Sequence, residues 1–271
     1  MDNIIVVPVY KKDIDKWEEI SFRRCCDVLG QYKITLVTHI QCDCTMYDKI
    51  AAEYQVTLAK EYFSINYFEN ISAYNRLMLS GEFYHRFLNY KYMLIYQLDA
   101  YVFSDQLKYW CNKEYDYIGA PWFTDYLSVK DGGLLWKVGN GGLSLRKVST
   151  MYKVFAKKGA FLSFMQLWRL KDTNNVTFIR KLLSVCIRAL GYKNSISFFL
   201  MSYTQNEDVF ICQYLEELGV LLNIPSPSEA MYFAYENNPS YLFQMMGEQL
   251  PFACHAWKRY EYNEFWKKYI K

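Results

Sequence analysis

Tyr92-Met93-Leu94-Ile95-Tyr96 runs into Gln97-Leu98-Asp99, and the apolar pattern then resumes as Ala100-Tyr101-Val102-Phe103. An unbroken apolar run of this length predicts a strand buried on both faces, as in a parallel sheet packed between helices. Open α/β sheets bind their ligands at the carboxyl ends of the strands, which is where Asp99 stands. Burying a lone carboxylate costs several kcal/mol or forces protonation, so Asp99 calls for a cation, either a metal ion or a basic side chain.

The chain on either side supplies the rest of such a sheet. Ile4–Val9 is a second all-apolar run, with Pro8 near its end, where a missing N–H does least harm. Asp13–Gly30 has helical spacing at Ile14, Trp17, Ile20, Phe22 and Cys25, with Gly30 as a C′ stop, and Ile34–Thr38 is β-branched. This β-α-β opening predicts a doubly wound sheet with right-handed crossovers. A helix is expected over Ser72–Asn89, broken at Ser80-Gly81, then a short strand at Asp116–Gly119. A mobile loop is expected at Thr124–Gly133, a strand-like stretch at Val138–Leu145 and a helix at Lys147–Lys158. Thr177–Gly191 reads as a basic amphipathic helix, which either packs on its own domain or touches a membrane surface. Glu207–Gly219 reads as a further helix and Val220–Ile224 as a last strand. Without repeats or linkers, residues 1–271 are expected to form one domain.

Composition excludes several classes. The chain is 52% hydrophobic, which rules out disorder, and its net charge of +3 is too small to argue for a nucleic-acid partner. The 19% aromatic content fits stacking on sugar rings as well as it fits a tyrosine-rich core. The eight cysteines show no zinc spacing, and Met1–Tyr10 does not read as a signal peptide, so free thiols in the cytoplasm are expected. No apolar stretch is long enough to span a bilayer.

Four places carry residues capable of chemistry, each with an ordinary structural role beside the functional one. Asp99 either binds a cation or caps a turn. Gly139-Asn140-Gly141-Gly142 either lays bare N–H groups against a sugar or diphosphate or turns a hairpin, with Arg146 facing phosphate or solvent. Asn206-Glu207-Asp208 either caps a helix or offers a carboxylate as a base. His255, scarce as one of three histidines, either ligates a metal or diphosphate or sits hydrogen-bonded in the core.

In order along almost the whole chain, these segments resemble a family of bacterial polysaccharide-cluster proteins, known as a domain of unknown function and related to GT-A glycosyltransferases. The resemblance rests on Tyr74–Met78, Tyr96–Ala100, Asp116–Trp122, Val138–Arg146, Asn206–Phe210 and Pro251–Trp257. It implies a GT-A-like, Rossmann-type mixed α/β sheet flanked by helices. It implies transfer of a sugar from a nucleotide donor, a UDP-sugar, to a hydroxyl of a glycan or lipid-linked acceptor, with inversion, in cytoplasmic synthesis of surface polysaccharide. By resemblance, Asp99 and His255 hold a divalent cation, manganese or magnesium. Gly141 and Gly142 with Asn140 form the glycine-rich loop, Asp208 is the base, and Glu207 orients the base or acceptor. Val9 and Tyr10 fall where such folds hold the nucleotide base, Asn75 is a further contact, and Trp122 and Tyr74 wall the pocket. Phe161–Tyr203 is the expected acceptor-side helical segment. One departure stands out: Gln97 occupies the place of the first acid of the metal motif, which favours a rival reading as a non-catalytic nucleotide-sugar or carbohydrate-binding protein. A nucleotidyltransferase ranks third, because the expected Gly-rich, basic signature is missing near the first strand.

Overall fold

A computed structural model of the protein describes residues 3–124, 133–170 and 177–270. Strands β1 (Asn3–Pro8), β2 (Lys33–Thr38), β3 (Ala59–Tyr62) and β4 (Tyr92–Tyr96) run parallel in the order β3-β2-β1-β4. Every residue of β4 is buried, and so is every residue of β1 after Asn3, as their unbroken apolar sequence requires of central strands. Successive residues feed opposite faces. Ile5 and Val7 pack with Phe22, Cys25 and Leu29, while Ile4 and Val6 pack with Leu77, Met78 and Phe83.

Helices α1 (Lys16–Leu29) and α2 (Thr45–Glu53) contribute to the first face, and α3 (Ile71–Met78) and α4 (Gly81–His85) to the second. A capping box starts α1: Asp15 accepts from the Trp17 and Glu18 amides, and Glu18 accepts from the Asp15 amide. Gly30 ends α1 in a right-handed conformation (φ −62°), so its smallness serves packing and not a left-handed stop. A Cβ there would lie 2.3 Å from the Cys26 carbonyl oxygen. Ser80 caps α4 through the Phe83 amide, which makes the expected break a second helix start.

After β4 the chain forms β5 (Tyr101–Val102), α5 (Leu107–Asn112), β6 (Tyr117–Ile118), β7 (Pro121–Phe123), β8 (Leu135–Val138) and β9 (Leu143–Lys147). Strand β9 inserts antiparallel between β4 and β6 and completes a six-stranded mixed sheet. Strand β8 pairs with β7 instead, so Gly139–Gly142 links two sheets and the hairpin reading of that turn is overturned. Most of the expected loop at Thr124–Gly133, residues 125–132, lies outside the described residues.

Helix α6 (Val148–Phe155) follows β9, and the segment expected to be helical holds α7 (Phe164–Arg169), α8 (Phe178–Ala189) and α9 (Ile196–Met201). Glu207–Val209 (α10) runs into a π-helix, Phe210–Tyr214, and a last turn, Leu215–Glu217. Val220–Ile224 is not a strand. Asn223 is held by Asp116, amide to carboxylate and carbonyl to amide, at the entry to β6. Strands β10 (Ala234–Tyr235) and β11 (Ala253–Cys254) then join β5 in a three-stranded sheet. All eight cysteines are free. Among the described residues, no helix is long and apolar enough to cross a membrane.

Candidate active site

Strand register assembles the first part of the site. Strands β10 and β11 are parallel, with Tyr235 opposite Cys254, so Glu236 and His255 leave them side by side. Strand β11 is antiparallel to β5, with Cys254 opposite Tyr101, which carries His255 to the Asp99 turn just after β4. His255 Nε2 lies 3.0 Å from Asp99 Oδ1, and Nδ1 lies 3.2 Å from Glu236 Oε1. Burial opposes charge on the imidazole, but Asp99 and then Glu236 outweigh it and lift its pKa to about 10. The same burial works against the Asp99 carboxylate, and the imidazolium more than offsets that, leaving the carboxyl below its ordinary value.

The geometry also permits a different occupant. Nε2 is buried and has no aligned hydrogen bond despite its nearness to Asp99, while Nδ1 is turned to a second carboxylate. A histidine that binds metal is oriented in this way, its far nitrogen engaged by a carboxylate. Asp99, whose side chain is 51% exposed, can reach the same ion. These residues fit one cation with two protein ligands. Among the described residues no three His, Cys, Asp or Glu side chains form a cage, so phosphate and water would fill the remaining shell.

The glycine turn forms the floor between β8 and β9. A Cβ on Gly139 would meet the Trp122 ring at 1.8 Å, one on Gly141 would meet Glu207 Oε1 at 2.2 Å, and one on Gly142 would meet His255 Nε2 at 2.0 Å. Each glycine lets a side chain of the protein itself press on the backbone. Asn140 has φ +74°. Its side-chain oxygen accepts from the Gly142 and Leu143 amides, and Asp208 Oδ2 accepts from the Asn140 and Gly141 amides at 3.0 and 3.2 Å. The N–H groups expected to face a sugar or diphosphate are therefore taken up within the chain.

Glu207 and Asp208 are adjacent but differ in their surroundings. Arg146, completely buried, donates to Glu207 Oε1 at 2.7 Å and to the Tyr84 hydroxyl at 3.0 Å, and its guanidinium lies over the Tyr117 ring. Glu207 is thus a buried counter-ion to Arg146, next to Asp208 in the chain. Asp208 has no cation among its described hydrogen-bond partners. Burial, then Glu207 and Glu236, push its carboxyl up to about 7 against the pull of the Val209 and Gly141 amides.

The remaining expected residues are only partly gathered. Gln97 bonds through its amide to the Gly142 carbonyl, and its side chain lies against Gly142. The Tyr74 phenol is raised by burial, with Glu207 adding to the shift and Gln97 opposing it. Asn75 Nδ2 is 3.4 Å from Asn206 Oδ1, which places it beside α10. Trp122 is buried against Gly139 and the core, so it supports the turn. Val9 is in the core and its amide bonds Val37, whereas Tyr10, at the same sheet edge as Gln97, is exposed. Glu236 is not legible in the sequence, because two-residue strands have no readable period. The sequence left Arg146 undecided between phosphate and solvent, and neither applies.

A mixed α/β sheet with an acidic and imidazole cluster at its carboxyl edge defines the class. Residues 57–255 match the family described as "Protein of unknown function (DUF5672)", and the chain belongs to that family. No curated protein matches it. Among solved structures, the apo-form glycosyltransferase GlyE of Streptococcus pneumoniae TIGR4 is similar at 11% identity and TM-score 0.46, over 94% of this chain and 54% of that one. TarS 1–349 of S. aureus is similar at 11% identity and TM-score 0.38, over 57% of this chain and 50% of that one. Core-mannan synthase A (CmsA/Ktr4) of Aspergillus fumigatus, in an Mn/GDP form, is similar at 9% identity and TM-score 0.38, over 77% and 71%. The chain spans about half the length of the GlyE and TarS chains.

Proposed function

We propose that this chain, as one domain, transfers a sugar from a UDP-sugar to a hydroxyl of a glycan or lipid-linked acceptor, with inversion, in cytoplasmic synthesis of surface polysaccharide. The observation that carries the reading is the convergence of Asp99, His255 and Asp208 on one glycine turn at the carboxyl edge of β4. The resemblance of the ordered segments to GT-A glycosyltransferases supplies the chemistry. The bond from the anomeric carbon to the diphosphate breaks, a bond to the acceptor oxygen forms on the opposite face, and the acceptor proton passes to Asp208. A carboxyl held near neutrality suits that task. His255, fixed by Glu236, faces the departing charge together with Asp99. A divalent cation held by Asp99 and a neutral His255 would neutralise that charge in place of the imidazolium.

A thermal-shift screen of nucleotide sugars, with and without manganese, tests donor class and metal need together. A UDP-sugar should raise the melting temperature, and Asp208→Asn should keep that shift while losing transfer. Full transfer by the variant would remove the base assignment. Gln97, in place of an acid, favours a second reading: a protein that binds nucleotide sugars without turnover. Donor binding with no slow hydrolysis and no transfer would select it.

A further inference from the structure

Helix α8 buries only Val185 among its described residues. Phe178, Leu182 and Cys186 form one i, i+4 row and Ile179, Leu183 and Ile187 the next, so the two rows share one side of the helix. That side is open to solvent, with Ile179 68% and Leu183 58% exposed, and Leu190 continues it at 90%. The first turn of α8 is backed by α7. Trp168 of α7 meets Phe178 edge-on at 5.7 Å, and the Lys181 ammonium sits 4.9 Å from the Trp168 ring centre.

The charge along this stretch of the chain is mostly positive. No Asp or Glu occurs from Thr177 to Gln205, and residues 161–205 hold six Lys or Arg against one Asp. The whole chain carries only +3, so the remainder is net acidic. Among the described residues, Arg180, Lys181, Arg188 and Lys193 form no ion pair with an acid, so their charge is open to an anionic partner.

We infer that α8 docks this protein on an anionic lipid bilayer, lying in the plane of the interface with its apolar rows among the acyl chains and its cations on the head groups. Protein interfaces mix charges of both signs around an apolar centre, while an anionic bilayer selects an apolar strip edged by cations alone. The inference goes beyond the proposed transfer reaction and stands apart from it.

Sedimentation of the full chain with vesicles tests it. The chain should sediment with phosphatidylcholine vesicles that contain phosphatidylglycerol, lose that binding as salt is raised, and stay in solution with pure phosphatidylcholine. Arg180→Glu with Lys193→Glu should weaken binding by about 30-fold or more, and Leu183→Glu with Ile187→Glu should abolish it. All four side chains are exposed, so unchanged melting curves should show that the variants fold. Equal sedimentation of parent and variants would overturn the inference, as would no binding to anionic vesicles. So would a concentration-dependent dimer that Leu183→Glu dissolves, since a second copy would then cover the face. Donor binding is a separate measurement: its failure would remove the transferase reading and leave vesicle binding standing.

Discussion

Asp208 occupies the first turn of a helix, where the macrodipole favours an ionised carboxylate, yet its proton is held more tightly than usual. Burial and two neighbouring carboxylates therefore outweigh the helix end. As a base it must be ionised, so kcat/KM should rise with pH through about 7. Stability follows the same proton with the opposite sense. Between the ordinary value of 3.8 and about 7 the folded chain keeps a proton that the unfolded chain has released, so folding weakens as pH rises through that window. Asp208→Asn should melt with the parent in mild acid and above it at alkaline pH. Arg146→Met should cost about 3–5 kcal/mol in a urea titration, because Glu207 stays buried without its partner. Pairing it with Glu207→Leu should recover much of that loss. Gly142→Ala should push His255 off its place and weaken donor binding, as read by thermal shift. The side chains capable of chemistry were legible in the sequence by type and scarcity, but their partners were not. Nothing near Arg146 in the chain announces Glu207, 61 residues on.

At the scale of elements, long periodic segments were readable and short ones were not. Strands β1 and β4 follow from apolar runs and helix α1 from its apolar spacing, while the capping box that starts α1 came only with the structure. Asp15→Ala should therefore lower stability by about 1 kcal/mol in the same titration. The hairpin alternative for the glycine turn rested on Asn-Gly between apolar stretches, and only the pairing of β8 with β7 and of β9 with β4 shows a crossing between sheets. Val220–Ile224 has strand composition, but its backbone is spent on Asp116. The π-helix Phe210–Tyr214 starts two residues after Asp208, and no periodicity in the sequence marks it. Extra turns of this kind recur beside functional sites.

At the scale of the whole molecule, the opening β-α-β pattern was enough to specify a doubly wound sheet, while the smaller sheet that delivers Glu236 and His255 was invisible. That sheet depends on the end of the chain. Trp257 and Trp266 are completely buried in a cluster with Tyr101 and Tyr235. A chain cut after Leu250 would lose β11, His255 and both indoles, and should fail to unfold cooperatively. The indole of Trp257 also stands 5.6 Å from that of Trp17, at 73° between planes. Two chromophores so close and so crossed couple their transitions, which gives the protein a native optical gauge. A near-ultraviolet circular-dichroism couplet should report, without any label, whether the segment bearing His255 has seated against the first helix.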